Sequence, residues 1–213
     1  MIKKFINKLL GKSTPGTSGG KPHFGKREEV PASVHGINPE LVDRRAADVV
    51  ATLKQAGFEA YIVGGAVRDL LLGLRPKDFD VATNATPEQV KGLFRRAFII
   101  GKRFQIVHVM FGQDLLEVTT FRGAGADSAP KDEHGRVLRD NTFGLQHEDA
   151  LRRDFTINAM YYNPATQEVL DYHGGVEDIR AQTLRMIGKP EERYREDPVR
   201  MLRVVRFAAK LKF

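Results

Sequence analysis

The stretch Tyr61–Asp80, YIVGGAVRDLLLGLRPKDFD, constrains the fold of this chain more than any other. It begins with an apolar run that predicts a buried strand, and Gly64 and Gly65 then lead into a predicted helix over 66–72. Backbone amides at such a strand–helix turn can approach phosphate oxygens, because glycine has no side chain to block them. Arg68 adds a cation one turn into the helix. A glycine pair alone is a weak signal, since most such pairs form ordinary turns.

Two aspartates close this stretch. Lys77–Val81 predicts a strand, whose period of two places Asp78 and Asp80 on one face and Phe79 on the face toward the core. A pair of hard oxygen ligands suits Mg²⁺, which fills its other positions with water and substrate phosphates. The alternative is two solvated aspartates on an exposed face. The glycine turn just upstream favours the metal site.

Composition limits the class of protein. The 213 residues suit one large domain, or one domain with part of another, and a hydrophobic content of 41% is enough for a packed core. No run approaches the roughly 18–20 apolar residues of a membrane span. The chain has no cysteine, which excludes disulfides and thiolate metal sites. A reducing compartment is compatible with that absence, and we expect a cytoplasmic location.

The net charge of +7 is unevenly distributed. Residues 1–30 and 193–213 each carry a net +5, so the segment between them is slightly acidic. A catalytic core that holds cations, with basic ends that hold a polyanion, fits this distribution. A solvated tail and a basic helix face explain it equally well.

Residues 1–36 predict a basic, flexible extension. The first twelve residues form a short basic amphipathic pattern that suits contact with RNA, a partner or, weakly, a membrane surface. Residues 13–36 are rich in Gly, Ser, Thr, Pro and Lys and predict a flexible linker. We therefore expect a folded domain over 37–172 and the start of a helical region over 173–213.

Further charged residues are candidates because of their positions in later elements. Leu115–Phe121 predicts a strand, and Glu117 becomes a third carboxylate of the site if this strand neighbours the one with the aspartates. Residues 123–147 predict a long loop, which is usually functional or disordered. The segment Glu148–Ala159 concentrates four polar candidates that, taken alone, indicate only a charged helix face: Arg152, Arg153, Asp154 and Asn158.

The last helix is predicted to begin at Asp197, with this aspartate as the N-cap and Pro198 in the first turn. Three arginines follow at intervals of three: Arg200, Arg203 and Arg206. The helical pattern is still running at Phe213, so we expect a further helical part beyond it.

Taken in order, the stretches VGGAVRDLLLG, PKDFDVATNATP, EVTTFR, RRDFTINAM and EDPVRMLRVVRF resemble the class II branch of the polymerase-β-like nucleotidyltransferases. This family comprises the bacterial poly(A) polymerases and the CCA-adding enzymes. The resemblance covers roughly residues 38–213, and five motifs in sequence are far more specific than any one of them. It implies an α+β fold: a palm-like head with a mixed sheet and helices, followed by the start of an all-helical neck.

The resemblance also implies roles for individual residues. Asp78 and Asp80 would bind two Mg²⁺ ions, with Glu117 as a further catalytic carboxylate. Gly64, Gly65 and Arg68 would cradle the triphosphate of ATP. Arg152, Arg153, Asp154 and Asn158 would contact the nucleotide's sugar and phosphates, while Asp197 and Arg200 would contact its base edge. A purely capping role for Asp197 stays open.

The implied activity is template-independent transfer of AMP from ATP to RNA 3′ ends, with release of pyrophosphate. IIGKRFQIVHVMFG and REDPVRMLRVVRFAAKL are more similar to the poly(A) polymerase version than to the CCA-adding one. Both kinds of enzyme share the motifs above, so addition of CCA to tRNA is the first alternative. A catalytically incomplete RNA-binding fragment is the second.

Overall fold

The computed structural model describes residues 25–102, 104–123 and 142–213. The predicted helix 1–12 and most of the predicted loop 123–147 lie outside these ranges. Eight strands occur in the described residues: β1 (Glu28–Val30), β2 (Ala60–Val63), β3 (Asp80–Thr83), β4 (Ala97–Ile100), β5 (Ile106–Phe111), β6 (Asp114–Thr120), β7 (Met160–Asn163) and β8 (Glu168–Asp171).

Helices connect and cover these strands. In the same residues the α-helices are α1 (Ala32–His35), α2 (Arg44–Gln55), α3 (Gly65–Leu71), α4 (Pro87–Leu93), α5 (Gln146–Arg152), α6 (Gly175–Arg180), α7 (Pro190–Glu196) and α8 (Val199–Leu211). Two 3-10 turns, Pro39–Leu41 and Thr156–Asn158, precede α2 and β7. None of the helices in the described ranges has the length and apolar character that a membrane crossing needs.

The strands form one mixed sheet in the order β1-β8-β7-β2-β3-β6-β5-β4. Most neighbours are antiparallel, but β3 and β6 are parallel, and their register pairs Asp80 with Glu117. The predicted α+β fold with a mixed sheet is confirmed. Glu117 was predicted to join the site if its strand neighboured that of Asp80, and this pairing of β3 with β6 meets that condition.

Local sequence signals explain where the helices begin and end. Asp43 caps α2 by accepting a hydrogen bond from the Arg45 N–H at 2.8 Å. Thr86 and Gln89 form a reciprocal capping box at α4, where Pro87 is the first residue. Gly57, with φ of 88°, follows α2 in the left-handed region that glycine favours.

Side chains cover both faces of the sheet, which explains why β2 is an uninterrupted apolar run. Ile62 points into the main core, while Tyr61 and Val63 belong to a second cluster on the other face. In that second cluster the Tyr161 ring packs edge to face on Phe121, with ring centroids 6.1 Å apart. The sheet is therefore a rigid platform from which the side chains of the site project.

The predicted start of the folded domain at residue 37 is wrong. Glu28–Val30 pairs with β8 as an edge strand, and Val30 is buried in the main core. This strand lies inside the segment predicted to be a flexible linker. Three residues, two of them charged, are too short a run for periodicity to distinguish from the polar, glycine-rich stretch around them.

The division between head and neck at residue 172 stays a prediction. Beyond it, α6 packs on the Thr156–Asn158 turn, and Asp178 accepts hydrogen bonds from Thr156 and Arg185. Farther on, Phe207 of α8 is buried and packs edge to face on Phe155, with ring centroids 5.6 Å apart. Parts of the 173–213 segment thus share the main core.

Gly175→Ala is expected to destabilise the protein by about 1–3 kcal/mol, because an added Cβ would lie 2.4 Å from the Thr156 carbonyl oxygen. Urea unfolding measures the change. Gly92→Ala is the matched control, since nothing lies within 4 Å of its Cβ in α4. That control should gain about 0.5–1 kcal/mol. Equal effects of both substitutions would contradict the close packing of α6 on the 3-10 turn.

Candidate active site

The turn between β2 and α3 brings two arginines close to the backbone. Gly64 has φ of 75° and ψ of −133°, a conformation that side chains strongly disfavour. A Cβ on Gly64 would lie 3.5 Å from Arg153 Nη1, and one on Gly65 would lie 3.4 Å from Arg68 Nη2. The glycine pair therefore makes room for guanidinium groups as well as for a turn.

Arg68 is almost completely buried and held on both sides. Its Nε and Nη2 donate to Asp69 at 2.8 and 2.6 Å, and its Nη1 donates to Asn158 Oδ1 at 2.7 Å. The guanidinium also lies over the Phe207 ring. The Nδ2 of Asn158 is buried without a partner in the described residues. It is therefore a donor that a bound ligand can satisfy.

The three predicted carboxylates are Asp80 at the start of β3, Asp78 two residues before it and Glu117 in β6. Asp80 and Glu117 are direct neighbours in the parallel register. Asp78, Asp80 and Glu117 line one common cavity. Burial, together with the charges of Glu117 and Asp78, raises the pKa of Asp80 to about 6, while Arg153 acts in the opposite direction. An opposite charge placed here would relieve this electrostatic cost.

Asp78 does not lie in the strand predicted to contain it. Strand β3 begins at Asp80, which pairs with Val63, the last residue of β2. The next position along β2 is Gly64, where the backbone has already turned into α3, so Asp78 has no strand partner on that side. Its exposed side chain precedes the strand, and it reaches the same cavity from a loop.

The carboxylates fit a Mg²⁺ site of the open kind. No group of three His, Cys, Asp or Glu side chains in the described ranges is close enough to hold one ion. Mg²⁺ is usually bound by one or two carboxylates, with water and substrate phosphates completing the shell. Asp78 and Asp80 supply those two carboxylates, and Glu117 stands beside them.

Arg153 belongs to a buried polar network that the sequence did not reveal. Its Nη2 donates to Asp149 Oδ2 at 3.0 Å, and the Tyr161 hydroxyl donates to the same oxygen at 2.7 Å. Its guanidinium lies over the Tyr161 ring. Asp149 and Tyr161 were not predicted as site residues. Only the i,i+4 spacing of Asp149 and Arg153 on a helix hints at their contact.

The predicted residues meet in a large first cavity of about 970 Å³, in the range of small-molecule sites. Its lining contains eight basic and five acidic side chains, an excess of cations that suits a triphosphate. Among the predicted residues it includes Gly64, Gly65, Arg68, Asp78, Asp80, Arg153, Asp154, Asn158, Asp197 and Arg200. Residues that the sequence did not single out as ligands add to it: Lys77, Arg203, Arg206, Phe207 and Lys210.

A family model described as the poly(A) polymerase head domain matches residues 60–185, more than half of the chain. The chain belongs to this family. Its eight-stranded mixed sheet is the polymerase-β-like nucleotidyltransferase head, as the fold of solved relatives also indicates.

Among similar proteins, poly(A) polymerase I of Salmonella typhi is 50% identical over 99% of this chain and 46% of its own length. Poly(A) polymerase I of Escherichia coli O6:H1 is 53% identical over 85% of this chain and 40% of its own length. The CCA-adding enzyme of Lactobacillus helveticus is 43% identical over 79% and 41%, respectively. The chain therefore spans less than half the length of these relatives.

Among solved structures similar to this head domain is that of the Bacillus stearothermophilus CCA-adding enzyme in complex with CTP. It is 39% identical, with a TM-score of 0.65, over 76% of this chain and 38% of the other.

Asp154 and Arg203 connect two elements that are distant in the sequence. Arg203 of α8 donates through Nε to Asp154 Oδ2, and the other oxygen of Asp154 accepts from the Phe155 N–H at 2.9 Å. Arg203 was seen in the sequence as part of an arginine stripe, but its partner was not predicted. The ion pair holds α8 against the wall of the first cavity.

Asp197 and Arg200 line the same cavity at the start of α8. The Asp197 carboxylate accepts a hydrogen bond from the N–H of Val199, the first residue of α8, at 3.1 Å, although Pro198 is the residue that immediately precedes the helix. Arg200 Nη1 donates to the Arg193 carbonyl and to Glu196 Oε2, both at 2.9 Å. These hydrogen bonds involve Asp197 Oδ1 and Arg200 Nη1. Asp197 Oδ2 and Arg200 Nη2 can therefore contact a ligand.

Arg152 stands apart from the other residues predicted to contact the nucleotide. It does not line the first cavity, and its half-buried guanidinium lies near Arg122, Arg193 and Arg200. Burial and these neighbouring cations lower the pKa of Arg152 to about 10. Its contact with a nucleotide stays a prediction.

Proposed function

We propose that this chain is the nucleotide-transferring head of an enzyme that adds AMP from ATP to RNA 3′ ends and releases pyrophosphate. The observation that carries the proposal is the first cavity, where ten of the predicted residues, Asp78 and Asp80 among them, meet in a lining with an excess of cations. The relatives named poly(A) polymerase I are 50–53% identical to this chain, against 43% for the CCA-adding enzyme. That difference supports ATP as the substrate.

In the proposed reaction the RNA 3′-oxygen forms a bond to the α-phosphorus of ATP. The bond from that phosphorus to the bridging oxygen breaks, and pyrophosphate leaves. Arg153, Arg203 and Lys77 offer cations to the triphosphate, and the Gly64–Gly65 turn gives it room. Asp78 and Asp80 would hold Mg²⁺, which supplies charge neutralisation at the α-phosphate and lowers the pKa of the attacking hydroxyl. Asp80, with a pKa of about 6, is mostly ionised at neutral pH and ready for a cation.

The base would be read by Asp197 and Arg200. A free carboxylate oxygen accepts and a guanidinium donates, so the pair complements a base edge with an amino group beside a ring-nitrogen acceptor. Adenine and cytosine have that edge, whereas guanine and uracil present the opposite order. The pair thus favours ATP or CTP, and addition of CCA to tRNA is the second candidate. The similarity to the enzyme solved with CTP supports this alternative.

An extension assay separates the candidates. A labelled oligoribonucleotide with Mg²⁺ and each NTP in turn should be extended with ATP only. Ordered addition of C, C and A to a tRNA that lacks its end would favour the second candidate. Failure of every NTP to extend any RNA, with RNA binding retained, would favour a non-catalytic RNA-binding module. The full encoded protein is the proper sample, since the described domain covers less than half of its relatives.

Arg200→Ala is expected to weaken discrimination between ATP and GTP by about tenfold in kcat/KM, because the base would lose its donor. Mg²⁺ dependence should change little. Arg180→Ala is a control on an exposed arginine outside the cavity, paired with Glu177. An unchanged preference among the four NTPs would exclude Arg200 as a base contact.

A further inference from the structure

The cavity that Asp78, Asp80 and Glu117 line in common, here called the second cavity, extends away from the first cavity. Its volume is about 610 Å³, enough for one nucleotide. It shares only Lys77, Asp78 and Asp80 with the first cavity. Glu117 lines the second cavity but not the first. The two cavities are therefore two separate approaches to the same carboxylates.

Phosphoryl transfer requires two approaches of this kind. The attacking oxygen and the leaving oxygen lie roughly in line on opposite sides of the reacting phosphorus. The cations for the triphosphate belong mainly to the first cavity, so the leaving pyrophosphate lies there. The attacking hydroxyl must then arrive from the other approach, which is the second cavity.

We propose that the second cavity receives the 3′-terminal nucleotide of the RNA acceptor, and that Arg45 binds its last internucleotide phosphate. The inference rests on the proposed function, and it adds the place and the residue that recognise the acceptor. Arg45 belongs to none of the sequence motifs discussed above.

The charges of the second cavity select a particular kind of ligand. Five carboxylates face two cations in its lining: Asp43, Asp78, Asp80, Asp114 and Glu117 against Arg45 and Lys77. This balance repels a second triphosphate. An RNA 3′ end brings two hydroxyl donors for the carboxylates and a single phosphate for a cation. Phe111 and Leu115 add an apolar wall that suits the sugar and base.

Arg45 is positioned to exchange one partner for a phosphate. Its Nη2 and Nε donate to Asp43 at 2.6 and 3.0 Å, and Asp43 also caps the same helix, so this side is fixed. Its Nη1 donates to Asp114 Oδ2 at 2.6 Å. The Asp114 side chain is 72% exposed and follows a turn. Such a solvent-exposed pair is weak, and a phosphate can displace the carboxylate.

Two substitutions should act on RNA in opposite directions. Arg45→Gln is expected to raise the KM for an oligoadenylate by about tenfold, because the phosphate loses a charged donor. Asp114→Asn should lower that KM by about twofold to fivefold, because it removes the competing carboxylate. The KM for ATP should stay the same in both variants. Arg44→Gln is the matched control: Arg44 is the exposed neighbour on the same helix and lines neither cavity.

The outcomes separate this inference from the proposed function. If the unsubstituted full-length protein extends RNA but both variants keep its KM for RNA, the acceptor site is elsewhere and the proposed function stands. A change in the KM for ATP instead of RNA would equally overturn the inference. If the protein extends no RNA, the proposed function fails. Equilibrium binding of labelled oligoadenylate then still decides the role of Arg45, since equal affinity of the Arg45→Gln and unsubstituted proteins would refute it.

Discussion

Asp80→Asn is expected to lower nucleotide transfer by at least about 10³-fold while making the protein more stable at neutral pH. The activity falls because the site loses one of the two carboxylates that are proposed to hold the cation. The fold gains stability because Asp80 is partly buried beside Glu117, and burial and that neighbour raise its pKa to about 6. A residue that improves stability when removed, yet abolishes activity, is typical of a functional site.

The pH dependence follows from the direction of this shift. Below the ordinary aspartate pKa, Asp80 is protonated in both folded and unfolded protein, and Asn should match Asp. As the pH rises toward 6, Asp80 loses its proton in the unfolded chain before it does so in the folded protein. The unsubstituted protein therefore becomes less stable relative to Asp80→Asn over this range. Above pH 6 the advantage of Asn should level off at about 3 kcal/mol.

Urea unfolding in EDTA at several values between pH 4 and pH 8 measures this advantage. Asp48→Asn, an exposed aspartate on α2, is the control and should stay within about 0.5 kcal/mol at every pH. If Asp80→Asn destabilises the metal-free protein, the carboxylate has a structural role. If it retains transfer activity, the assignment of the metal site is wrong.

Asp149→Ala should produce the largest loss of stability, about 3 kcal/mol, because it leaves the Arg153 guanidinium without its counter-ion inside the protein. The Asp149 carboxylate also accepts from the Tyr161 hydroxyl and from the Arg122 N–H. The substitution therefore leaves three donors without their acceptor: the Arg153 guanidinium, the Tyr161 hydroxyl and the Arg122 N–H. Since Arg153 faces the first cavity, the KM for ATP should rise as well.

Tyr161→Phe is the matched control for this network. It removes one hydroxyl from Asp149 but keeps the ion pair and the ring, so it should cost only about 1 kcal/mol. Denaturant midpoints of both variants, together with the KM for ATP, test the network. A loss for Asp149→Ala no greater than for Tyr161→Phe would show that Arg153 finds solvent or another partner.

Periodicity and helix caps predicted most of this fold. The β2–Gly-Gly–α3 unit and the start of the last helix next to Asp197 and Pro198 are encoded within a few residues, and short-range patterns suffice to find them. The edge strand Glu28–Val30 was missed because its only support is its pairing with β8, far along the chain.

The candidate site was predictable residue by residue but not as a set of contacts. The alternation of side chains in Leu115–Phe121 assigned Glu117 to one face of its strand. That Glu117 lies next to Asp80 depends on the parallel pairing of β3 with β6, which this alternation does not specify. Asp78 was assigned to a strand because its pattern continues, although the neighbouring strand has already ended. The partners of Arg153 and Arg203 became visible only through tertiary packing.

The parallel pairing of β3 with β6 has a consequence for the order of events in folding. These strands are separated by α4 and the β4–β5 hairpin, elements whose contacts are local and form quickly. Loop closure must come before the two strands can align, and a slip of one residue would turn Glu117 to the opposite face. A folding chain therefore acquires most of its helices and hairpins before its carboxylates are neighbours, and the capacity to hold a cation is among the last properties to emerge.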